Sequence, residues 1–301
     1  MKYRCAVIFC DKIEMRKRKL GIQGEKILKS LKKVTALLLA GAVVLVLAGC
    51  SSGTTQSATT GEINGGGSTS VQKIIDAVGS EYTALNPDIK FTYSGTGSSD
   101  GIKGAISGTY SFGCSSRDLK TEEKTNLTEM IFAYDGIAII VNPENTVSGL
   151  TKIQLAEIYT GEITNWSEVG GKDAPIVVVS REDGSGTRTA TEELVGFTEQ
   201  LKGSATIKEG NGNVQTTVAV NPNAIGYVSL TFVNKTVKAI DVDGVKATVD
   251  NVLNKTYALS RPFVAVYDAT KVDDVTLAFL DFLMSKDGQK IVTKNGGITV
   301  L

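Results

Sequence analysis

The chain has 301 residues, 42% hydrophobic and 21% charged, with 5 prolines; this supports one large folded domain or two lobes and excludes disordered, collagen-like and disulfide-scaffold classes. It contains no histidine, which removes Ser-His-Asp and Cys-His nucleophile systems, histidine metal ligands and the usual proton shuttle near neutral pH. The formal charge is zero, but residues 1–49 carry 11 Lys/Arg against 3 Asp/Glu, leaving residues 50–301 with 21 against 29; a basic leader ahead of an acidic body argues against a nucleic-acid partner.

The leader is the first predicted element. Residues 34–49, VTALLLAGAVVLVLAG, form an uncharged apolar run of 16 residues behind Lys29, Lys32 and Lys33. That is short for a bilayer-spanning helix and suits the core of a signal peptide. The run ends Leu47-Ala48-Gly49-Cys50 and gives way to a Ser/Thr/Gly/Gln tether through residue 60. Small residues before a cysteine, then a polar tether, resemble the lipobox of bacterial lipoproteins. The resemblance implies cleavage before Cys50 and lipidation of its thiol; an ordinary signal peptide or a single anchor helix is the alternative. Asp11, Glu14 and Glu25 interrupt the upstream basic stretch, so the true start of translation is expected near residue 31. Cys5 and Cys10 would depart with the leader. Cys114, left alone in the body, cannot form an intramolecular disulfide and reads as a small buried thiol.

From residue 61 the pattern alternates strands and helices. Val71, Ile74, Ile75 and Val78 fall at helical spacing and predict one buried stripe. Residues 89–93 read as a strand and Ile102, Ala105 and Ile106 as a short helix. Asp135-Gly136 leads into residues 137–141, an apolar run expected to be covered on both faces. Helices are predicted over 153–159 and 189–197, and strands over 176–180, 224–230 and 263–267. Val275, Phe279, Phe282 and Leu283 mark a C-terminal helix ending at Asp287-Gly288. Such βα alternation predicts an α/β fold with mostly parallel sheets flanked by helices.

Three strand-to-helix junctions share a composition: GGGSTS (65–70), GTGSS (95–99) and REDGSGTR (181–188). Glycines let backbone N–H groups turn toward a ligand, hydroxyls add donors, and a helix N-terminus adds partial positive charge. Ser and Thr are also ordinary helix caps, so a single such loop points to capping; three together point to a common oxyanion. None contains Gly-Lys-Ser/Thr, which argues against a nucleotide, and Gly184-Ser185-Gly186 lacks the spacing of a nucleophile elbow. The body has four arginines, Arg117, Arg181, Arg188 and Arg261, against 17 lysines. Two flank the third loop, where a planar guanidinium suits bidentate oxyanion recognition. An ion pair such as Arg181 with Asp183 could coexist with that role.

Together with FGCSSRDL (112–119), YDGIAIIVN (134–142), ITNWSEVGG (163–171), AIGYVSL (224–230), LSRPF (259–263) and FLMSKDGQKIV (282–292), these loops resemble the PstS-type phosphate-binding lipoproteins of bacterial ABC transporters. The resemblance covers nearly all of residues 61–301. It implies a two-lobed periplasmic-binding-protein type II fold with the ligand in the cleft between lobes, lobe 1 comprising 61–141 and 256–301 and lobe 2 comprising 142–255. It implies a monomer, anchored by lipid outside the membrane, that binds inorganic phosphate and delivers it to permease subunits and, indirectly, their ATPase. No catalytic residue, metal or cofactor is expected. Phosphate contacts are implied for Thr69, Ser70, Ser98, Ser116, Arg181, Ser185, Gly186 and Thr187. Some family members carry, at the position of Ser116, an aspartate that accepts the phosphate proton; with serine here, Asp135 is the candidate acceptor. Sulfate or molybdate is the alternative ligand. Because the body is net negative, local dipoles and an arginine must do the attracting.

Overall fold

The computed structural model describes residues 60–300; the leader, Cys50 and the tether through residue 59 lie outside the described residues. The chain begins with β1 (Gly61–Gly67), α1 (Gln72–Leu85), β2 (Ile89–Gly95), α2 (Ser98–Ser107), β3 (Phe112–Ser115) and the long β4 (Thr128–Val141). It continues through β5 (Gly149–Leu150), α3 (Lys152–Thr160), β6 (Val177–Arg181), α4 (Gly186–Val195), β7 (Thr206–Lys208), α5 (Gly210–Ala219) and β8 (Ala224–Ser229). After β9 (Lys238–Ala239), β10 (Asp241–Val242) and α6 (Val249–Leu253), β11 (Ser260–Tyr267) returns, followed by α7 (Asp274–Met284), α8 (Lys286–Lys294) and β12 (Ile298–Thr299).

The main sheet runs β2-β1-β3-β11-β4-β8-β6-β7. Its flanks are parallel: β1 pairs with β2 and β3, and β6 with β7 and β8. The centre is antiparallel, because β4 and β11 pair with each other and with β8 and β3. These two strands carry the chain between two cores. Phe132 and Ala133 of β4 pack with Ile63, Ile74, Phe112 and Phe279, whereas Ile137 and Ile139 of the same strand pack with Tyr159, Trp166, Phe197 and Tyr227. In the return direction Leu259 belongs to the second core and Phe263 to the first. A bulge between Phe263 and Val264 follows Pro262, which has no N–H to give the ladder.

Local signals explain most boundaries. The stripe Val71, Ile74, Ile75 and Val78 is wholly buried, and α1 ends just before Asn86-Pro87, where the proline disfavours helix. A capping box between Thr151 and Gln154 opens α3. Two expectations are corrected. The glycines of GGGSTS lie inside β1 rather than in the loop, and rings occupy their side-chain space: a Cβ on Gly65 would stand 2.5 Å from Phe112, and one on Gly66 2.3 Å from Tyr110. The C-terminal helix stops at Met284, not at Asp287-Gly288. Ser285, in extended backbone, ends α7 and caps α8 by accepting from Gly288 N at 3.1 Å, which puts Asp287 and Gly288 in the first turn of α8.

Candidate functional site

The hydroxyl-rich loops meet where the two cores face each other. Ser68 Oγ donates to Ser116 Oγ at 2.8 Å, joining the loop after β1 to the end of β3. Ser98 Oγ lies 3.4 Å from Ser116 Oγ and accepts from Ser116 N at 3.1 Å. Across the cleft, Ser70 Oγ is 2.9 Å from Thr187 Oγ1, and Ser99 N donates to Gly184 O at 3.1 Å. Gly186 sits so close to the opposite wall that a Cβ there would be 2.2 Å from Ser98 Oγ and 2.9 Å from Ser116 Oγ. Ser70, Ser98, Ser116, Ser185 and Thr187 are all buried, while Thr69 is half-buried. A groove of about 510 Å³, lined in part by Thr69, Lys73, Asp76, Glu209, Asn211 and Phe232, leads in at Thr69.

Capping accounts for only one of the three loops. Ser185 caps α4 by accepting from Arg188 N. The N-cap positions of α1 and α2 are Val71 and Gly97, with no side-chain cap, so the hydroxyls beside them are free for other partners.

The charged groups come as pairs. Arg181, at the end of β6 and 1% exposed, donates through Nε and Nη2 to Glu182 at 2.7 and 2.6 Å and through Nη2 to Thr69 Oγ1 at 3.2 Å. Its Nη1 is buried without a protein partner, an unpaired donor of the kind that calls for a ligand oxygen. The expected pairing of Arg181 with Asp183 does not form; Asp183 accepts from Arg188 instead, at 2.6 Å. Behind the hydroxyls, Arg261 binds Asp135 Oδ2 through Nε at 3.1 Å and Nη2 at 2.9 Å, and reaches Ser116 O and Ser70 Oγ, each at 3.1 Å. With one cation and one carboxylate in each pair, the fixed charges of the site cancel.

Asp135 is wholly buried in the interior of β4, not at a strand end as its sequence context suggests, and stands directly opposite Arg261 in the β4–β11 register. A surface Asp-Gly turn is therefore excluded. Ser229 Oγ donates to its Oδ1 at 2.9 Å. Burial pushes the Asp135 carboxyl up, while Arg261, Ser229 and the Leu230 N–H pull the other way. Burial also acts to raise Glu182, but Arg181 and Gly210 N together hold it below the usual carboxylate range. Asp135 connects to the hydroxyl cluster through Arg261, and Ser185 is occupied in capping α4; Thr69 meets Arg181, Ser70 meets Thr187, and Ser98, Ser116 and Gly186 meet one another.

Asn211, Ser68, Ser229, Glu182 and Arg261 join the site without having been singled out. Asn211 is fully buried on α5 and bridges Thr69 and Ser70; its only sequence signal was the Gly/Asn run of residues 210–213. Arg261 stood out only as one of four arginines. Cys114 is buried with its thiol pushed up to about 12 by desolvation, as befits an inert core residue.

Residues 52–287 match the PBP superfamily domain. The chain is 32% identical over 243 residues to the phosphate-binding protein PstS of Borreliella burgdorferi, covering 77% of this chain and 87% of that one. It is 32% identical over 289 residues to the phosphate-binding protein PstS of Bacillus subtilis, covering 89% and 94%. Among solved structures it is similar to a Clostridium perfringens protein with bound phosphate, described as a phosphate ABC transporter substrate-binding protein (TM-score 0.78, 49% identity, 80% of this chain and 100% of that chain). An ABC-type phosphate transport receptor from Vibrio cholerae gives a TM-score of 0.70 at 38% identity, covering 79% and 99%.

Proposed function

Because the chain belongs to the PBP superfamily, and within it to the PstS-type phosphate-binding proteins, we propose that it captures inorganic phosphate in the cleft and delivers it to the permease of an ABC importer. The observation that carries this reading is the convergence of hydroxyls from three loops, joined at Thr69 to the buried Arg181, whose Nη1 lacks a protein partner.

In this reading Thr69, Ser70, Ser98, Ser116, Ser185, Gly186 and Thr187 present O–H and N–H groups to the anion, and Arg181 supplies the charge-assisted bond. The paired fixed charges leave no net positive field, so oriented dipoles must neutralise the dianion in a site closed to water. Asp135, the wholly buried carboxylate behind the cluster, accepts the hydrogen bond of the phosphate P–O–H. The two lobes, expected as residues 61–141 with 256–301 and residues 142–255, follow the two cores with shifted crossings: Ile137, Ile139, Val141, Tyr257 and Leu259 pack with the second core, so the chain changes lobe near residues 134–136 and 260–262. The role is binding without turnover, in keeping with a sequence that has no histidine for acid–base work.

The reading places the protein outside the membrane as a monomer, held by a lipid on Cys50 after removal of the leader. Among the described residues no helix is long and apolar enough to cross a membrane. Cys50→Ser should abolish acylation and processing; an intact-mass measurement showing processed protein without lipid in the wild type would contradict the anchor. Calorimetric titration with phosphate, sulfate and molybdate tests the ligand. Phosphate should bind far more tightly than the other two. Equal binding of sulfate would make this a general oxyanion receptor, and binding of none would refute the reading.

A further inference from the structure

Resting on the phosphate reading above, we propose that Asn211 fixes the hydroxyls of Thr69 and Ser70 as hydrogen-bond donors, so that this side of the site selects unprotonated ligand oxygens. A hydroxyl has one proton and two acceptor lone pairs. Thr69 Oγ1 receives Arg181 Nη2 at 3.2 Å and Asn211 Nδ2 at 3.0 Å. Ser70 Oγ receives Arg261 Nη2 at 3.1 Å and Asn211 Nδ2 at 3.0 Å. Guanidinium nitrogens only donate. The amide orientation of Asn211 is fixed too, because its Oδ1 accepts from the backbone N–H of Ser229 at 3.0 Å; a flipped amide would set donor against donor.

Both lone pairs of each hydroxyl are thus occupied, and each has only its proton to give: that of Thr69 is free to point outward, while that of Ser70 is given to Thr187. The contact between Ser70 Oγ and Thr187 Oγ1 at 2.9 Å, ambiguous by distance alone, resolves with Ser70 as donor. An anion oxygen seated at Thr69 meets an O–H that cannot turn round to accept from a P–O–H, and at Ser70 the same polarity passes on to Thr187, whose own proton is left for the ligand. Asn211 and its Ser229 anchor come from the second core's side of the cleft, whereas Thr69 and Ser70 come from the first. The donor polarity is therefore complete only when the cleft is closed. A single amide, fully buried and spending both its protons on two hydroxyls, acts as a positioning residue for ligand ionisation state.

Charged groups facing this cluster are Arg181 and Arg261, with Glu182 beside the former and Asp135 behind the latter, while Lys73, Asp76 and Glu209 line the adjoining groove. All persist unchanged in Asn211→Ala, which adds no ionisable group, so their own titration is common to both proteins and cancels in that comparison.

The test titrates phosphate into the full-length wild type, Asn211→Ala and Asn211→Asp, at pH values on either side of the second ionisation of phosphate. Asn211→Ala should lose roughly 10- to 100-fold in affinity where the dianion dominates and markedly less where the monoanion does, shrinking the wild-type preference. Asn211→Asp, which offers acceptors in place of donors, should lose more than about 100-fold at both. Melting without phosphate checks that each variant folds. Asn211→Ser, which keeps a polar group at the position, takes the place of Asn211→Ala if that variant does not fold. An unchanged ratio of affinities between the two pH values would refute the proposal, as would wild-type affinity in Asn211→Asp. Wild-type protein that binds no phosphate would instead refute the reading beneath it.

Discussion

Removing Arg181 tests how the site holds an anion with no net positive charge of its own. Arg181→Ala deletes Nη1, the buried donor without a protein partner, and with it a charge-assisted bond of about 1.5–3 kcal/mol. It also strands Glu182, whose carboxylate the guanidinium had neutralised at 2.6 Å. A carboxylate left one guanidinium's width from a ligand charge repels it by roughly 3 kcal/mol at an effective dielectric of about 20. Glu182 is 20% exposed, and screening reduces that to about 1–2 kcal/mol. The sum, about 2.5–5 kcal/mol, weakens phosphate binding by about 10²- to 5 × 10³-fold. Arg181→Ala/Glu182→Gln removes the stranded charge as well and should recover to a loss of about 10- to 100-fold. Isothermal titration of both variants measures this directly. Arg188→Ala is the control: its partner Asp183 is 96% exposed, and such pairs are worth about 0–1 kcal/mol. If the double variant bound no better than Arg181→Ala, or if Arg188→Ala lost as much as Arg181→Ala, the charge-paired account of the site would be wrong.

Gly186→Ala inserts a methyl 2.2 Å from Ser98 Oγ and 2.8 Å from its Cβ, across the cleft; overpacking of about 1–3 kcal/mol should weaken phosphate by about 10- to 100-fold, and equal affinity by titration would mean the walls do not meet there. Asp135→Asn leaves Arg261 buried without its counter-charge, so unfolding stability should fall by about 3–5 kcal/mol. In competition binding the same change should weaken phosphate and favour sulfate, which has no proton to give; an unaltered ratio would remove Asp135 from the role of proton acceptor. Glu123 is opposed by burial but held low overall by its bonds to Arg117 and Lys120 N, so its folded value lies below its unfolded one. Its stabilisation is present above the ordinary carboxylate range and is lost as pH falls through the depressed value. Glu123→Gln should therefore lower the melting temperature by about 2–4 °C at neutral pH and less in acid; an equal drop at both would show that the ion pair contributes nothing.

The sequence made the βα alternation and the hydroxyl loops legible because both are local. Helical spacing marked Val71 to Val78 as a buried stripe, and β6 through α4 showed its strand, turn and helix within one short segment. What escaped depended on contacts between distant segments. Gly65 and Gly66 look like loop glycines until Phe112 and Tyr110 fill their places. Asp135 looks like a turn residue until β11 sets Arg261 opposite it, 126 residues along the chain. Asn211 lies 142 residues from Thr69, and no spacing rule connects them. Ser285 is a helix stop only because it also starts the next helix, a double use that apolar periodicity does not register.

β4 is 14 residues long; its residues 128–136 pair with β11 and its residues 137–141 with β8. The two cores are consequently not beads on a string but two masses riveted to one continuous ribbon. A hinge made of paired strands bends by twisting, a motion that keeps its ladder intact and springs back without any segment melting. It also makes the molecule thermodynamically indivisible: neither core can come apart without tearing strands that the other needs. A defect in either one is therefore felt as a lowering of a single, shared unfolding transition.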